Sequence, residues 1–471
     1  MWAEVLGAAA ADSGAGRAAL EAVGSLAVVY CQTWQYDDAA TRLAQRLGVQ
    51  PPRTVNTGIG GTVPAVAVVE ASEAMRRGEL EVAAVVSGEA LATRRARKRR
   101  GEPYRASFPP PERRPFPFEA PFHPAEVAHE VFQAYLTFAL FDTARRAHLG
   151  VGLDGYRVGL GRLWARAARV AAANPDAWFA EARRPEDIAT PGPDNRMVAS
   201  PYTKRMVAIM DVDMAAALLL ATHRAADRLG VPPERRVYLR GAGLALDPTY
   251  VAEHPAMWRS PAMRVAAGGA LRAAGIGVDD LAHLDLYSCF GSSVYFALDA
   301  LGIGPDDPRG FTVTGGLPSH GGPGSGYVTH ALAWMARRLR EDPGAHGLVS
   351  GVGMHMTKHA FTCWSTDPAP VAPPPPAAAP APETRPVVER LEGTVTVVAA
   401  TVLHGRDGDP ERLVAVCETP EGARGYAVGT DAELLAAAGE VELVGRRAQV
   451  RPDGGVNRLS WDGGDRGSAG R

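Results

Sequence analysis

Cysteine is scarce in this chain. Its 471 residues hold four, at 31, 289, 363 and 417, and none forms a CxxC pair. That scatter argues against a zinc site or a disulfide framework and suits a reducing, cytoplasmic compartment. Charge imbalance is also lacking. The net charge of −2 supplies no global field toward nucleic acid or a membrane surface. No apolar run reaches the roughly 18 residues needed to span a bilayer. The opening MWAEVLGAAAADSGAG lacks the basic flank of a signal peptide and reads as an amphipathic helix. What the chain has in plenty is core: 46% of its residues are hydrophobic, enough for two or more domains.

The clearest boundary is the proline-rich stretch 367–386, DPAPVAPPPPAAAPAPETRP. Its composition forbids helix and sheet and predicts an extended spacer. Before it, continuous apolar runs at 24–30, 81–90, 236–246, 283–290, 311–316 and 347–353 read as buried strands alternating with helical patterns. This predicts an α/β fold with mostly parallel sheets. The order glycine turn, helix, charged break and apolar-Ser-Gly strand occurs twice, once ending in VAAVVSGEA and once in GLVSGVG, which points to a duplicated unit. The halves are expected at 1–228 and 229–366. Residues 92–200 form an insertion of charged, proline-rich loops with helix at 126–147 and 153–173. Beyond the spacer, 387–463 alternate apolar and polar residues with period two and predict a small β barrel of the OB type. Residues 464–471 are expected to be disordered.

The chemistry should gather at strand ends and glycine loops. Gly58, Gly60 and Gly61 form a turn that feeds a helix. Such a turn can seat a nucleophile or anion, yet this one carries neither Cys nor Ser. It either lines a ligand slot or is simply a tight turn. Tyr287 ends a predicted strand, where catalytic groups of α/β sheets gather, or it is a core tyrosine. His320 lies in SHGGPGSG, poised to donate to a carbonyl oxygen or to brace the loop. His355 follows the GVG turn and could face the same pocket. Lys358 and His359 read better as solvated or ion-paired. Cys289 and Cys363 read as small buried residues. No carboxylate or thiolate accompanies the histidines in a metal-ligand pattern, so no metal is expected. RRARKRR at 94–100 has six basic residues in seven. It is a solvated loop face, a contact for the phosphates of a nucleotide, or a nuclear or nucleic-acid patch, which would look alike.

Four stretches resemble the thiolase superfamily, in its divergent sterol-carrier-protein-type branch. They are GIGGTVPAVAVVEASEAMRRGELEVAAVVSGEA, NRMVASPYTKRMVAIMDVDMAAALLLATHRAADRLG, DLYSCFGSS, and GGLPSHGGPGSGYVTHA with GLVSGVGMHMTKHAFTCWST. They are co-linear over nearly all of 1–366. The resemblance implies two βαβαβαββ halves with an inserted loop domain, an acyl-coenzyme A ligand held near Gly58, Gly60, Gly61, Gly321, Gly322, Gly351 and Gly353, and a homodimer. The tail resembles the extra OB-like domain of some members. The family also begins with a strand before its first helix. This chain begins within that helix, so either its start site is misassigned or the sheet lacks a strand, which would leave backbone unpaired at a sheet position.

The four chemical positions of a thiolase are changed. The nucleophilic cysteine falls at Gly61, the GHP histidine at Gly322, the second cysteine at Val349 or Ser350, and NEAF becomes Tyr287-Ser288-Cys289-Phe290. Loss of a nucleophile commonly costs on the order of 10⁶ in rate, which argues against a cysteine acyl-enzyme. Three functions follow. One is an enzyme acting on acyl-coenzyme A without cysteine, for instance by aldol or retro-aldol chemistry through Tyr287, His320 or His355; tyrosines in this region serve such cleavage in some similar proteins. The second is a non-catalytic acyl-coenzyme A or lipid binder or scaffold. The third is an acetyltransferase with a relocated nucleophile.

Overall fold

A computed structural model of the protein describes residues 1–106, 108, 122–368 and 380–461. Most of the expected spacer, the whole expected disordered tail and the proline-rich segment 109–121 lie outside these residues. The strands are β1 Ser25–Val28, β2 Arg53–Asn56, β3 Val82–Ala90, β4 Met197–Ala199, β5 Tyr202–Thr203, β6 Asp213–Ala221, β7 Tyr238–Leu246, β8 Leu281–Asp285, β9 His346–Gly353, β10 Lys358–Ser365, β11 Gly393–His404, β12 Pro410–Glu418, β13 Arg424–Gly429, β14 Arg447–Asp453 and β15 Val456–Ser460.

The duplication is visible in the sheets. The first-half sheet runs β2-β1-β3-β6 and the second-half sheet β8-β9-β10-β7. Each holds a parallel pair (β1 with β3, β8 with β9) followed by an antiparallel neighbour (β6, β10). Between the sheets lie the matching helices Val63–Arg76 and Tyr327–Glu341. The first starts with Pro64 in its opening turn, where a missing N–H costs nothing, and stops before Gly78 at φ 75°. Its Ala65 and Val68 pack into the central core with Ala27 and Val85 of the sheet. Alternate residues of the same strands, Leu26, Val28, Ala84 and Val86, face the outer core with Leu6 and Ala10 of the N-terminal helix. Both faces are covered, which is why these strands read as unbroken apolar runs. β10 is flanked by β7, whereas β6 has no strand on its outer edge among the described residues.

Two elements differ from expectation. Residues 311–316 form no strand. Their backbone curls around the buried carboxylate of Asp285, which accepts from Val313 N–H, Thr314 N–H and the hydroxyls of Thr312 and Thr314. A local acceptor here outcompetes a sheet ladder. The basic run 94–100 is not a loop: it lies in the helix Leu91–Arg99 and its C-cap, none of whose residues is buried. In the insertion, helices at Pro124–Ala128, Ala134–His148 and Leu153–Ala172 occupy the places where helix was expected.

The C-terminal strands close into a barrel in the order β11-β12-β13-β15-β14, with β14 paired back to β11. The unforeseen helix Ala432–Glu440 is capped by Asp431, which accepts from Glu433 N–H and Leu434 N–H. The barrel is bonded to the body, not tethered beside it. The β4–β5 hairpin of the insertion extends it through β11. Buried Tyr426 donates to Glu126 Oε1 (2.8 Å) and accepts from Ala252 N–H (2.9 Å). His129 donates from Nδ1 to Ala125 O and accepts at Nε2 from Asn457 N–H (2.8 Å), one neutral tautomer satisfying both. Tyr426→Phe would leave a buried carboxylate oxygen and a buried amide short of a partner. We expect a loss of ~1–3 kcal/mol in urea unfolding, with a lower midpoint and an unchanged slope.

Candidate functional site

The first-half turn and the second-half strand ends meet backbone to backbone. Gly351 faces the carbonyl of Gly61, and Gly353 faces the Thr62 hydroxyl. A side chain at either would push the turns apart. Gly60, at φ 140°, donates its N–H to Ser325 Oγ (3.0 Å) from the matching second-half turn. The glycines of both halves thus let two turns interlock.

At Gly61, the position the resemblance to thiolases assigns to a nucleophile, there is no room for a side chain. A Cβ built on Gly61 would overlap the carbonyl oxygen of Val352 and the Cζ and Oη of Tyr287. The phenol tip fills the space that a sulfur would need. Tyr287 is 7% exposed, and its N–H is fixed by Ser350 Oγ at 2.9 Å. Its Oη makes no hydrogen bond among the described residues. Burial, with Cys289 beside it, raises the phenol's pKa well above the ordinary value of 10, so the hydroxyl keeps its proton. β8 ends at Asp285, so Tyr287 and Cys289 lie beyond the strand rather than within it as expected.

An aromatic chain leads away from Tyr287. Its ring meets Tyr327 edge-on at 5.6 Å, Tyr327 meets His320 at 6.0 Å, and His320 meets His330 at 5.6 Å. Asp285 anchors it by accepting the Tyr327 hydroxyl at 3.0 Å. His320 is fully buried; its Nδ1 lies 3.4 Å from the Asn174 amide and its Nε2 has no partner. Burial lowers His320 to about 4 and, with His320 nearby, lowers His330 to about 3, so both are neutral at physiological pH. Below their ordinary value of 6.5 the unfolded chain takes up protons that the folded chain refuses. Stability contributed by these histidines is therefore lost as pH falls from 6.5 toward 4. We expect the urea midpoint to fall across that window, with a shallower fall in His330→Asn.

Other expected site residues lie elsewhere. His355 hydrogen-bonds Thr137 through Nδ1 (2.7 Å) and packs on Phe122; no contact links it to Tyr287 or His320 among the described residues. Gly321, at φ 113°, is enclosed by Met214, Val212 and Trp178. Gly322 donates its N–H to Ile209 O (2.9 Å). These loops are held by the insertion and the segment leading into β6. His359 is buried and hydrogen-bonded to the Asp247 carboxylate (2.9 Å), not solvated; Lys358 is exposed. Among the described residues no group of three or more His, Cys, Asp or Glu is placed to hold a metal, and no helix is long and apolar enough to cross a membrane. Tyr327, His330, Asp285 and Ser325 were missed by sequence reasoning. Each takes part through contacts outside its own element, and only the glycine-rich setting of Ser325 and Tyr327 hinted at them.

A cavity of about 480 Å³ lies on the other side of the Gly58–Thr62 turn. It runs between the helix Val63–Arg76 and strands β1, β2 and β3, and does not include Gly61, Tyr287 or His320.

Comparison with known proteins agrees with this architecture. Residues 374–455 match the family model described as the thiolase-like protein type 1 additional C-terminal domain. No curated protein sequence matches the chain. A monomeric SCP2-thiolase-like protein type 1 from Mycobacterium smegmatis superposes with a TM-score of 0.83 at 29% identity, over 98% of this chain and 95% of that one. The Ltp2–ChsH2(DUF35) aldolase gives 0.56 at 16% identity, over 74% of this chain and 89% of that one. Human mitochondrial 3-ketoacyl-CoA thiolase gives 0.52 at 18%, over 76% and 91%. The last two share the fold alone. The chain thus has a duplicated thiolase-like fold, similar to that of the SCP2-thiolase-like protein type 1, and its C-terminal residues 374–455 match the additional domain described for thiolase-like proteins of that type.

Proposed function

We propose that this protein binds an acyl-coenzyme A thioester and acts on it without forming an acyl-cysteine, with the Tyr287 hydroxyl as the group that meets the thioester. The observation that carries this reading is the phenol tip of Tyr287 in the space left by Gly61. A protonated, unpartnered hydroxyl there can donate to a carbonyl oxygen as it gains negative charge. In a retro-aldol step on a β-hydroxyacyl thioester, a base takes the β-hydroxyl proton and the carbon–carbon bond breaks. The electron pair passes into the thioester as an enolate whose oxygen the phenol stabilises. Neutral His320, with a free Nε2, is the proposed second proton-handling group. The aldolase among the structures of the same fold is consistent with this class of chemistry. His355 belongs to the proposal only as a more distant group, through Thr137. A homodimer and a cytoplasmic setting are proposed with it, although the Mycobacterium smegmatis relative is described as monomeric; sedimentation of the full chain tests the first.

Tyr287→Phe should lower turnover of a β-hydroxyacyl-coenzyme A about 10²- to 10⁴-fold while leaving coenzyme A thioester binding intact. Undiminished turnover would remove Tyr287 from the chemistry. One observation favours a non-catalytic binder instead: the glycine loops at 321 and 322 are packed by Met214, Val212 and Ile209. Thioester binding with no turnover of any panel member would select that reading.

A further inference from the structure

The cavity beside the Gly58–Thr62 turn has a polarity that its overall composition hides. Ser25 and Arg53 are register partners at the start of β1 and β2, so they mark one end. The chain leaves β2 at the opposite end, through Thr57, Gly58 and Ile59, and then turns back as the helix Val63–Arg76. Of the lining residues on that helix, Val63 lies at the turn end, and Glu70 and Ala71 lie about 12 Å away, toward the end that holds Arg53. The far end therefore carries one cation and one anion. Lys358 lies at the turn end, because Gly353 faces both the Thr62 hydroxyl and the Lys358 side chain. It forms no ion pair among the described residues. Between the ends the lining is apolar: Ala27, Val55, Val66, Ala67 and Val85.

Two further observations point to a ligand. Thr62 is 4% exposed and lines the cavity, yet its hydroxyl has no hydrogen-bond partner among the described residues. Its oxygen is not one of the buried unpaired atoms, so it opens into the cavity and is free to donate to a ligand there. At the same end Leu246 is 56% exposed, a large apolar side chain uncovered at the mouth. The volume falls within the range of small-ligand sites, with apolar walls and few polar groups.

We infer that this cavity binds a linear aliphatic carboxylate, with its head group on the Thr62 hydroxyl and the Lys358 ammonium and its chain lying along Val66 and Ala67 toward Ser25. The site is separate from the Tyr287 cluster and does not depend on the reading given to it. Calorimetric titration of the full-length protein with decanoate, decan-1-ol and decylamine tests it. Decanoate should bind at least tenfold more tightly than decylamine, on the scale of one charge-assisted hydrogen bond. Lys358→Glu, a change at an exposed side chain, should reverse that order. Thr62→Val should weaken decanoate several-fold, and Ala67→Trp should abolish binding by filling the channel. Tyr287→Phe should leave decanoate binding unchanged. Equal binding of acid and amine, or decanoate binding that survives both Ala67→Trp and Lys358→Glu, would overturn the assignment. So would a stable dimer that Leu246→Asp dissociates in a protein that binds no decanoate, since a second copy would then cover the cleft.

Discussion

Gly61→Cys will not restore an acyl-enzyme. The substituted protein should be destabilised by ~1–3 kcal/mol or more, the usual cost of overpacking a filled core. Intact-mass analysis after incubation with acetyl-coenzyme A should show no adduct at position 61. A Cβ there overlaps both the tip of Tyr287 and the carbonyl oxygen of Val352. The first obstacle is a side chain and the second is backbone in β9. Tyr287→Ala on the Gly61→Cys background should therefore recover only part of the lost stability, because Val352 cannot be shortened. An acylated cysteine in either variant, with native-like stability, would show that the turns can separate. The absence of a nucleophile would then be a simple substitution rather than a rebuilt site.

Asp285→Ala should be strongly destabilising, by ~3 kcal/mol or more, because it leaves several buried donors without an acceptor at roughly 1–3 kcal/mol each. Asp285 is fully buried and accepts five hydrogen bonds: from Val313 N–H, Thr314 N–H, and the hydroxyls of Thr312, Thr314 and Tyr327. Burial raises its pKa and these donors hold it down. Without the carboxylate, loop 311–316 loses its organising acceptor and the Tyr327 hydroxyl loses one partner, keeping Thr314 (2.6 Å). The ring that spans Tyr287 and His320 is then free to shift. Urea unfolding should show the loss in stability. Asp285→Asn should recover part of it, since the amide oxygen still accepts while its NH₂ group faces donors. An Asp285→Ala protein as stable as the parent would mean that the loop is held by packing alone.

The duplicated architecture was legible because it rests on local and repeated signals. Apolar runs such as VAAVVSGEA and GLVSGVG must be strands when both faces are covered, and they recur after matching glycine turns. The barrel was legible from period-two alternation. The misread segments are those where a distant group intervened. FTVTGG has the composition of a strand, but Asp285 supplies an acceptor for its amides. MVA at 197–199 joins the barrel only because β11, two hundred residues later, lies alongside it.

The same division holds at the candidate site. That position 61 carries no thiol, and that tyrosine and histidine stand near the second-half turns, follows from residue identity and order alone. That the Tyr287 phenol occupies the space beside Gly61, that His320 is walled off from water, and that Thr62 opens into a separate apolar cavity were decided only by the tertiary structure. Which atoms fill a vacated volume depends on how two halves of the chain dock, and contacts between residues more than two hundred positions apart leave no periodic trace in the sequence.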